Sequence, residues 1–364
     1  MDANFTQKFQ TSLLSWYHKN KRDLPWRRTS DPYKIWISEV ILQQTRIDQG
    51  TPYYERFVKR FPAVESLAKA SLDEVLKVWE GLGYYTRARN LHKAAQEIVE
   101  KYNGKIPEDS DSVLKLPGFG PYTAAAVLSI AYNKDHALVD GNVIRVLTRL
   151  FAIRKDSKEA TTKKELWKTA QELLPPGKAR DYNQALMELG ALVCTPTNPS
   201  CTTCPVSSLC QAYQLGIQEQ LPIKSPKKEK PHYDIAVGVV EKNGKVLLIQ
   251  RPEKGLLGGM WEFPGGRREK ETLARCCQRE IQQKTGLTVY AEAKPLCVVE
   301  HVYSHFSITL YAYPCQVVKG ETLKKQAKWI PIKELFKRAI HTSNLKVMDA
   351  WKKHKQNKKL SEYT

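Results

Sequence analysis

The apolar pattern changes period part-way along the chain, and that change limits the folds open to it. Up to residue 217 apolar residues recur at three- and four-residue spacing, in Thr11–Lys19, Ile35–Gln44, Leu72–Trp79, Ala88–Tyr102, Thr123–Tyr132 and Val143–Phe151. This is the signature of amphipathic helices. Turn chemistry separates the segments: Asp31-Pro32, Gly81-Leu82-Gly83, Asn103-Gly104, Pro117 to Pro121 and Pro175-Pro176-Gly177. Gln218–His232 is polar, basic and proline-dotted and reads as a linker. Strand-like runs follow at Asp234–Val240, Lys245–Gln250, Leu296–His301, Phe306–Tyr313 and Gln316–Val318, with one helix at Leu273–Thr285 and helices after Ile332. The expected architecture is therefore an all-α domain (1–217), a linker (218–232), an α+β domain (233–350) and a basic tail (351–364). A length of 364 residues suits two domains, with cores large enough to need no disulfide scaffold.

Lys and Arg number 58 against 38 Asp and Glu, a formal charge of +20, and both halves are basic. The surplus points to a polyanionic partner. A membrane is the weaker candidate, since mean hydropathy is −0.49 and no apolar run nears the roughly 18 residues of a spanning helix. Met1-Asp2-Ala3-Asn4 lacks the basic and apolar parts of a secretory signal. The expectation is a cytoplasmic protein, nucleoid-associated if bacterial, monomeric by default. In a reducing compartment its eight cysteines would be ligands or free thiols.

Cys194-x6-Cys201-x2-Cys204-x5-Cys210 places four thiols in one short stretch. Thiolates so spaced ligate an iron–sulfur cluster or structural zinc, and spacing alone does not separate the two. Cys276, Cys277, Cys297 and Cys315 have no such pattern and read as free thiols. Leu116-Pro117-Gly118-Phe119-Gly120-Pro121-Tyr122-Thr123-Ala124 joins two helices by a glycine hairpin, where backbone can approach a phosphate at a helix start. Asp140, in Leu138-Val139-Asp140-Gly141-Asn142-Val143, would on its own be a helix cap. Glu39, in Trp36-Ile37-Ser38-Glu39-Val40-Ile41-Leu42-Gln43-Gln44-Thr45, would on its own be a partnered structural carboxylate among apolar neighbours.

In order and interval, however, the hairpin, Asp140 and the cysteine loop resemble the helix–hairpin–helix, or endonuclease III, superfamily of DNA glycosylases. The Trp36–Thr45 run resembles the SEVxLQQT signature of the adenine DNA glycosylase (MutY) family, as do Arg22-Asp23-Leu24-Pro25-Trp26-Arg27 and the stretch from Gly81 to Asn90. The resemblance implies a hairpin-bearing part at about 30–135 and an iron–sulfur part at 1–29 and 136–217, with Cys194, Cys201, Cys204 and Cys210 holding a 4Fe–4S cluster. It implies Gly118 and Gly120 on the DNA backbone, where the hairpin could also seat a monovalent or divalent cation. Glu39 would be the general acid that protonates adenine at N7, which requires burial to raise its pKa. Asp140 would be the ionised carboxylate that stabilises the developing sugar cation, with Tyr122 and Asn142 positioning the reacting groups. Arg22, Leu24, Trp26, Arg27 and Gln184 would line the adenine pocket. Gln44 and Tyr84 would wedge into the base stack while the target is flipped out.

Gly265-x5-Glu271-x7-Arg279-Glu280-Ile281-x-Gln283-Lys284-x-Gly286 has the frame of a Nudix box. Nudix hydrolases carry Glu at the positions of Gln283 and Lys284, so a Mg²⁺ site cannot form there. The expectation is a retained fold without hydrolase activity. In the resembled family such a domain recognises 8-oxoguanine, which implies that Tyr303, Ser304 and His305 contact the lesion, with Tyr303 standing where Phe is usual. The partner implied is double-stranded DNA with A:8-oxoG or A:G mispairs. The segment from Trp351 to Leu360 reads as a disordered, non-specific DNA contact.

Three rivals are an endonuclease III-type glycosylase/lyase, a Nudix hydrolase with a DNA-binding appendage, and a non-enzymatic iron–sulfur DNA-binding protein. The first is opposed by the C-terminal domain and by one residue. Lyase members carry a lysine in the hairpin that attacks the sugar to form a Schiff base; here the place is Tyr122, and a phenol cannot form an imine. Borohydride should therefore trap no covalent protein–DNA adduct, and the strand should stay intact until alkali treatment. A trapped adduct would restore the lyase.

Overall fold

The computed structural model describes residues 2–225, 229–321 and 323–361. The chain divides into two compact units, Met1–Lys69 with Asn90–Lys227, and Ala70–Arg89 with Lys228–Thr364. The helices in chain order are α1 (Ala3–Asn20), α2 (Pro32–Leu42), α3 (Ile47–Arg60), α4 (Val64–Lys69), α5 (Leu72–Val78), α6 (Thr86–Tyr102), α7 (Ser110–Lys115), α8 (Pro121–Ile130), α9 (Gly141–Leu150), α10 (Ala160–Leu173), α11 (Ala179–Leu192), α12 (Gln211–Gln214), α13 (Leu273–Thr285) and α14 (Thr342–Ser361). The strands are β1 (His232–Lys242), β2 (Lys245–Gln250), β3 (Trp261–Glu262), β4 (Gly265–Arg267), β5 (Thr288–Ala291), β6 (Cys297–Val302), β7 (Ser307–Lys319) and β8 (Ala327–Pro331).

In the first unit, α2 and α8 form the interior. Every residue of α2 from Ile35 to Ile41, and of α8 from Thr123 to Ile130, is buried. Asp31 caps α2 by accepting the Tyr33 N–H at 2.9 Å, with Pro32 at the first helical position. The hairpin between α7 and α8 uses Gly118 at φ +81°. A Cβ there would sit 2.7 Å from Asn90 Cβ, so position and conformation both require glycine. Phe119 stacks on Trp36 of α2 at 5.1 Å and anchors the hairpin to the core. The α9–α11 crossing is equally close, because a Cβ on Gly190 would lie 2.6 Å from Asn142 Cβ.

In the second unit, β1 lies parallel to β7 (Ile235 opposite Leu310) and antiparallel to β4. β7 also pairs with β5 and β6, and β2 with β3 and β8. Alternation along β1 feeds two cores. Ala236 and Val240 meet α13 residues Cys276, Cys277 and Ile281; Val237 and Val239 join α14 residues Val347, Met348 and Trp351. The segment 70–89 belongs to this unit: Asp73 accepts from Trp261 Nε1 at 3.4 Å, and Glu80 Oε1 from the Ile340 N–H at 2.9 Å.

Three expectations are corrected. The runs Phe306–Tyr313 and Gln316–Val318 are one strand, because Pro314 lacks a donor but its carbonyl still accepts the Glu292 N–H at 3.1 Å. The 218–232 segment is packed rather than free over most of its length. Arg149 Nε donates to Leu221 O at 3.0 Å, the Ser157 N–H to Ile223 O at 3.1 Å and the Ser225 N–H to Asp156 at 2.9 Å, and β1 begins at His232. Residues 226–228 lie outside the described residues. The segment from Trp351 continues α14 to Ser361 instead of being disordered, since Val347, Met348 and Trp351 recur at helical spacing and bury against the sheet. Its end, 362–364, lies outside the described residues.

Gly190→Ala should destabilise the protein by about 1–3 kcal/mol, by forcing α9 and α11 apart. A lowered thermal midpoint would register this, and an unchanged one would show that the crossing can relax.

Candidate active site

The site is built where four helices meet. Glu39 projects from α2, Tyr122 from the first turn of α8, Asp140 stands at the N-cap of α9, and Gln184 lies on α11. All four border one cavity of about 160 Å³, with Arg22, Leu24, Trp26, Arg27 and Asn142 also in its wall. An apolar cavity of about 150 Å³ holds one aromatic ring, so this space suits a planar heterocycle. Every residue expected in the catalytic group and the adenine pocket thus faces the same space. A larger groove, about 740 Å³, has a single carboxylate, Asp181, among its lining residues. Size alone would choose the wrong place, and the paired buried carboxyls choose the smaller cavity.

Glu39 is 6% exposed, and Tyr122 Oη donates to its Oε2 at 2.6 Å. Burial pushes the Glu39 carboxyl up to about 7; the Tyr122 hydrogen bond lowers it, the Asp140 charge raises it and the Arg27 charge lowers it. The Tyr122 hydroxyl is itself pushed well above its ordinary value, by burial and then by both carboxyls, so it acts as a donor. Asp140 Oδ1 accepts the Val143 N–H at 2.7 Å and Oδ2 accepts Asn142 Nδ2 at 2.9 Å. Burial raises Asp140 as well, against those hydrogen bonds and the charge of Arg145. Two donors and Arg145 favour the charged form of Asp140, whereas on Glu39 burial outweighs one phenol donor and the charge of Arg27. Arg145 NH2 braces the arrangement by donating to Asn142 Oδ1 at 2.7 Å and Gly190 O at 2.6 Å.

Sequence reasoning missed Glu188 and Met187. Glu188 is 1% exposed and binds both Arg22 and Arg27, and Met187 Sδ lies 3.7 Å from Tyr122 Oη. The signal was available: Gln184, Met187, Glu188 and Ala191 fall at i, i+3, i+4 and i+7 on α11, and all four line the cavity.

Gln44 is exposed at φ +58°, and Tyr84, 47% exposed, lies at φ +48°. A left-handed backbone is uncommon for either residue and an outlier for a bulky aromatic. At the hairpin, Gly120 caps α8 and Pro121 follows, leaving first-turn N–H groups without intrahelical partners.

The four cysteines of the 194–210 loop line one small cavity, and none is in a disulfide. Among the described residues no group of three or more His, Cys, Asp or Glu converges as for a single metal ion. Arg149, 1% exposed, ties the loop down: NH1 reaches Cys194 Sγ at 3.3 Å and donates to Thr195 O at 2.7 Å. Four thiols around one cavity are of the donor type that iron–sulfur clusters take, one thiolate to each iron.

In the second unit, Tyr303, Ser304 and His305 form the turn between β6 and β7, closed by the Tyr303 N–H to Phe306 O at 2.8 Å. They border a cleft of about 530 Å³ shared with Tyr84 and Tyr85. Ser304 Oγ donates to Tyr84 Oη at 2.7 Å, and Tyr303 Oη lies 3.3 Å from Ser343 Oγ. In the altered Nudix frame, Lys284 Nζ sits 3.1 Å from Glu280 Oε2 and donates to Gly265 O, while Arg279 pairs with Glu271 at 2.7 Å. Lys284 and Arg279 thus both pair with the Glu280 carboxylate.

Residues 37–172 match the model of the HhH-GPD superfamily of base excision DNA repair proteins, and residues 236–350 match that of the NUDIX domain. The chain is 36% identical to the adenine DNA glycosylase of Mus musculus, over 96% of this chain and 78% of the relative. It is 37% identical to that of Homo sapiens (93% and 73%) and 36% identical to that of a Buchnera aphidicola strain (86% and 87%). Among solved structures it is similar to a thermostable thymine-DNA glycosylase, with TM-score 0.54, 34% identity and coverage of 58% of this chain and 98% of that one. A trapped endonuclease III–DNA covalent intermediate, at TM-score 0.50 and 24% identity over the same shares, shows the same fold.

Glu39 gains a proton in the fold that it would not hold in the unfolded chain at neutral pH. Its contribution to stability is present below about pH 4.5 and is lost as pH rises through about 7. Glu39→Gln should therefore be more stable than wild type near pH 8, by about 1–3 kcal/mol, with the difference closing near pH 5. Thermal denaturation at both pH values would show it, and a pH-independent difference would contradict the assignment.

Proposed function

The chain belongs to the adenine DNA glycosylases of the HhH-GPD superfamily, base excision repair enzymes that act on DNA, and on that premise we propose that it removes adenine mispaired with 8-oxoguanine or guanine. The observation that carries the chemistry is the pairing, across one nucleobase-sized cavity, of a Glu39 raised to about 7 with an Asp140 held by donors.

The flipped adenine enters the cavity between Trp26, Leu24 and the arginines, with the Gln184 amide toward its edge. Glu39 gives its proton to N7, so the base leaves neutral rather than as an anion. Positive charge then develops on the sugar at C1′, and ionised Asp140 stabilises it electrostatically or by a transient bond at that carbon. Water completes the hydrolysis, and an abasic site remains with the strand intact. Tyr122 orients Glu39 and Asn142 orients Asp140. Gln44 and Tyr84, both on left-handed backbone, are the residues that enter the stack. Gly118, Gly120 and the start of α8 hold phosphate without reading sequence.

Cys194, Cys201, Cys204 and Cys210 would hold a 4Fe–4S cluster. When bound, it supplies a covalent brace for the loop that follows α11. In the second unit, Ser304 hydrogen-bonds the oxidised base from the turn shared with Tyr303 and His305. The Ser304–Tyr84 hydrogen bond supports this reading, since it joins the lesion reader to a wedge residue. The Lys284–Glu280 pair supports a domain that binds without hydrolysing diphosphates.

Single-turnover excision from duplexes with A opposite 8-oxoguanine, G or T tests the reading. Glu39→Gln should lose about 10²–10⁴-fold in rate. Ser304→Ala should keep excising adenine while its preference for the 8-oxoguanine duplex falls about five- to tenfold. Release of thymine glycol in place of adenine, or full activity of Glu39→Gln, would overturn the proposal.

A further inference from the structure

The cavity wall holds a third carboxyl besides the two expected ones, Glu188 on α11. Its Oε1 accepts the Arg22 N–H at 2.9 Å, Arg22 Nε at 3.0 Å and Arg27 NH1 at 2.8 Å. Its Oε2 accepts Arg22 NH2 at 2.6 Å and Arg27 NH2 at 2.8 Å. Five donors saturate both oxygens, and both guanidinium groups are committed to one carboxylate. A buried ion cluster of this kind is weak evidence for stability, because desolvation offsets the Coulomb gain. Its place beside the general acid indicates another use.

We propose that Glu188 is a positioning residue that keeps the Arg22–Arg27 pair closed on itself, so that Glu39 retains its proton for the leaving base. This rests on the reading of Glu39 as the general acid. The charged and titratable groups that line the cavity with Glu39 are Tyr122 from α8, Asp140 at the start of α9, Arg22 and Arg27 from the segment before α2, and Glu188 from α11; α3 contributes the uncharged Ile47. Arg145 stands behind Asn142. Of the cations, Arg27 acts directly on Glu39, favouring the ionised form. With Glu188 ionised the two guanidiniums and their shared carboxylate carry one net positive charge rather than two, so the field they project on Glu39 is weaker. Remove the Glu188 charge and two uncompensated guanidiniums line the cavity with a buried carboxyl. Glu39 then becomes their partner, ionises at neutral pH and has no proton to give. Glu188 is itself ionised throughout the working range: burial pushes it up, but the hydrogen bonds from Arg27 and Arg22 bring it down to about 2.

The test is the pH profile of single-turnover adenine excision by the full-length, cluster-loaded protein. Wild-type activity should fall above about pH 7, as Glu39 loses its proton. In Glu188→Gln that limb should move down by about one pH unit or more. Its deficit against wild type should therefore grow about tenfold or more on going from mildly acidic to mildly alkaline pH. Glu188→Asp keeps the charge and should leave the limb in place, whatever its rate. If Glu188→Gln shows the same deficit at every pH, Glu188 is a scaffold residue only and the proposal falls. If Glu188→Gln does not fold, Arg27→Gln carries the test: the limb should stay or move up, and a downward move overturns the proposal. Failure of the acid assignment is seen separately, as full activity in Glu39→Gln.

Discussion

A carboxyl buried at the centre of a helical unit is the constraint on which the first half of this protein depends. Leaving a polar group there without a partner costs about 1–3 kcal/mol, and leaving it charged costs more. The fold meets this with one phenol, contributed by a helix that begins at the glycine hairpin. The turn after the hairpin brings Tyr122 to Glu39. Phe119, stacked on Trp36, locks the hairpin to the helix that carries Glu39.

Asp140 shows the same economy. It caps α9 through the Val143 N–H, as any acid at a helix start would. The cap hydrogen bond also favours its charged form, against the burial that raises it. The structural and catalytic readings of this residue are therefore one arrangement, and the two carboxyls differ because their donors differ, not because their side chains do.

The second unit has the fold of the NUDIX domain, and inside its altered frame a glycine at 266 leaves room for the Glu280 carboxylate that Lys284 pairs with. What remains is an α/β sandwich that presents the Tyr303–Phe306 turn next to Tyr84. The 70–89 segment, which the helical periodicity assigns to the first domain, belongs to this unit through Asp73 and Glu80.

Sequence alone determined the elements whose signals are local. The helices with strong apolar periodicity, the Leu273–Thr285 helix, the glycine hairpin, the absence of a Schiff-base lysine and the loss of the Nudix carboxylates were all legible, because each depends on residue type and short-range spacing. Only the tertiary structure decided what depends on distance between separate elements. It brought Glu188 of α11 onto Arg22 and Arg27, more than 160 residues away. It folded the supposed linker against Arg149 and Asp156, and turned the supposed tail into a helix. The state of Glu39 belongs to the same class, since besides burial a phenol, a second carboxylate and an arginine act on it from three separate segments. Sequence could name the acid; a pKa near 7 follows from the desolvation and Coulomb interactions that exist only once those segments are packed together.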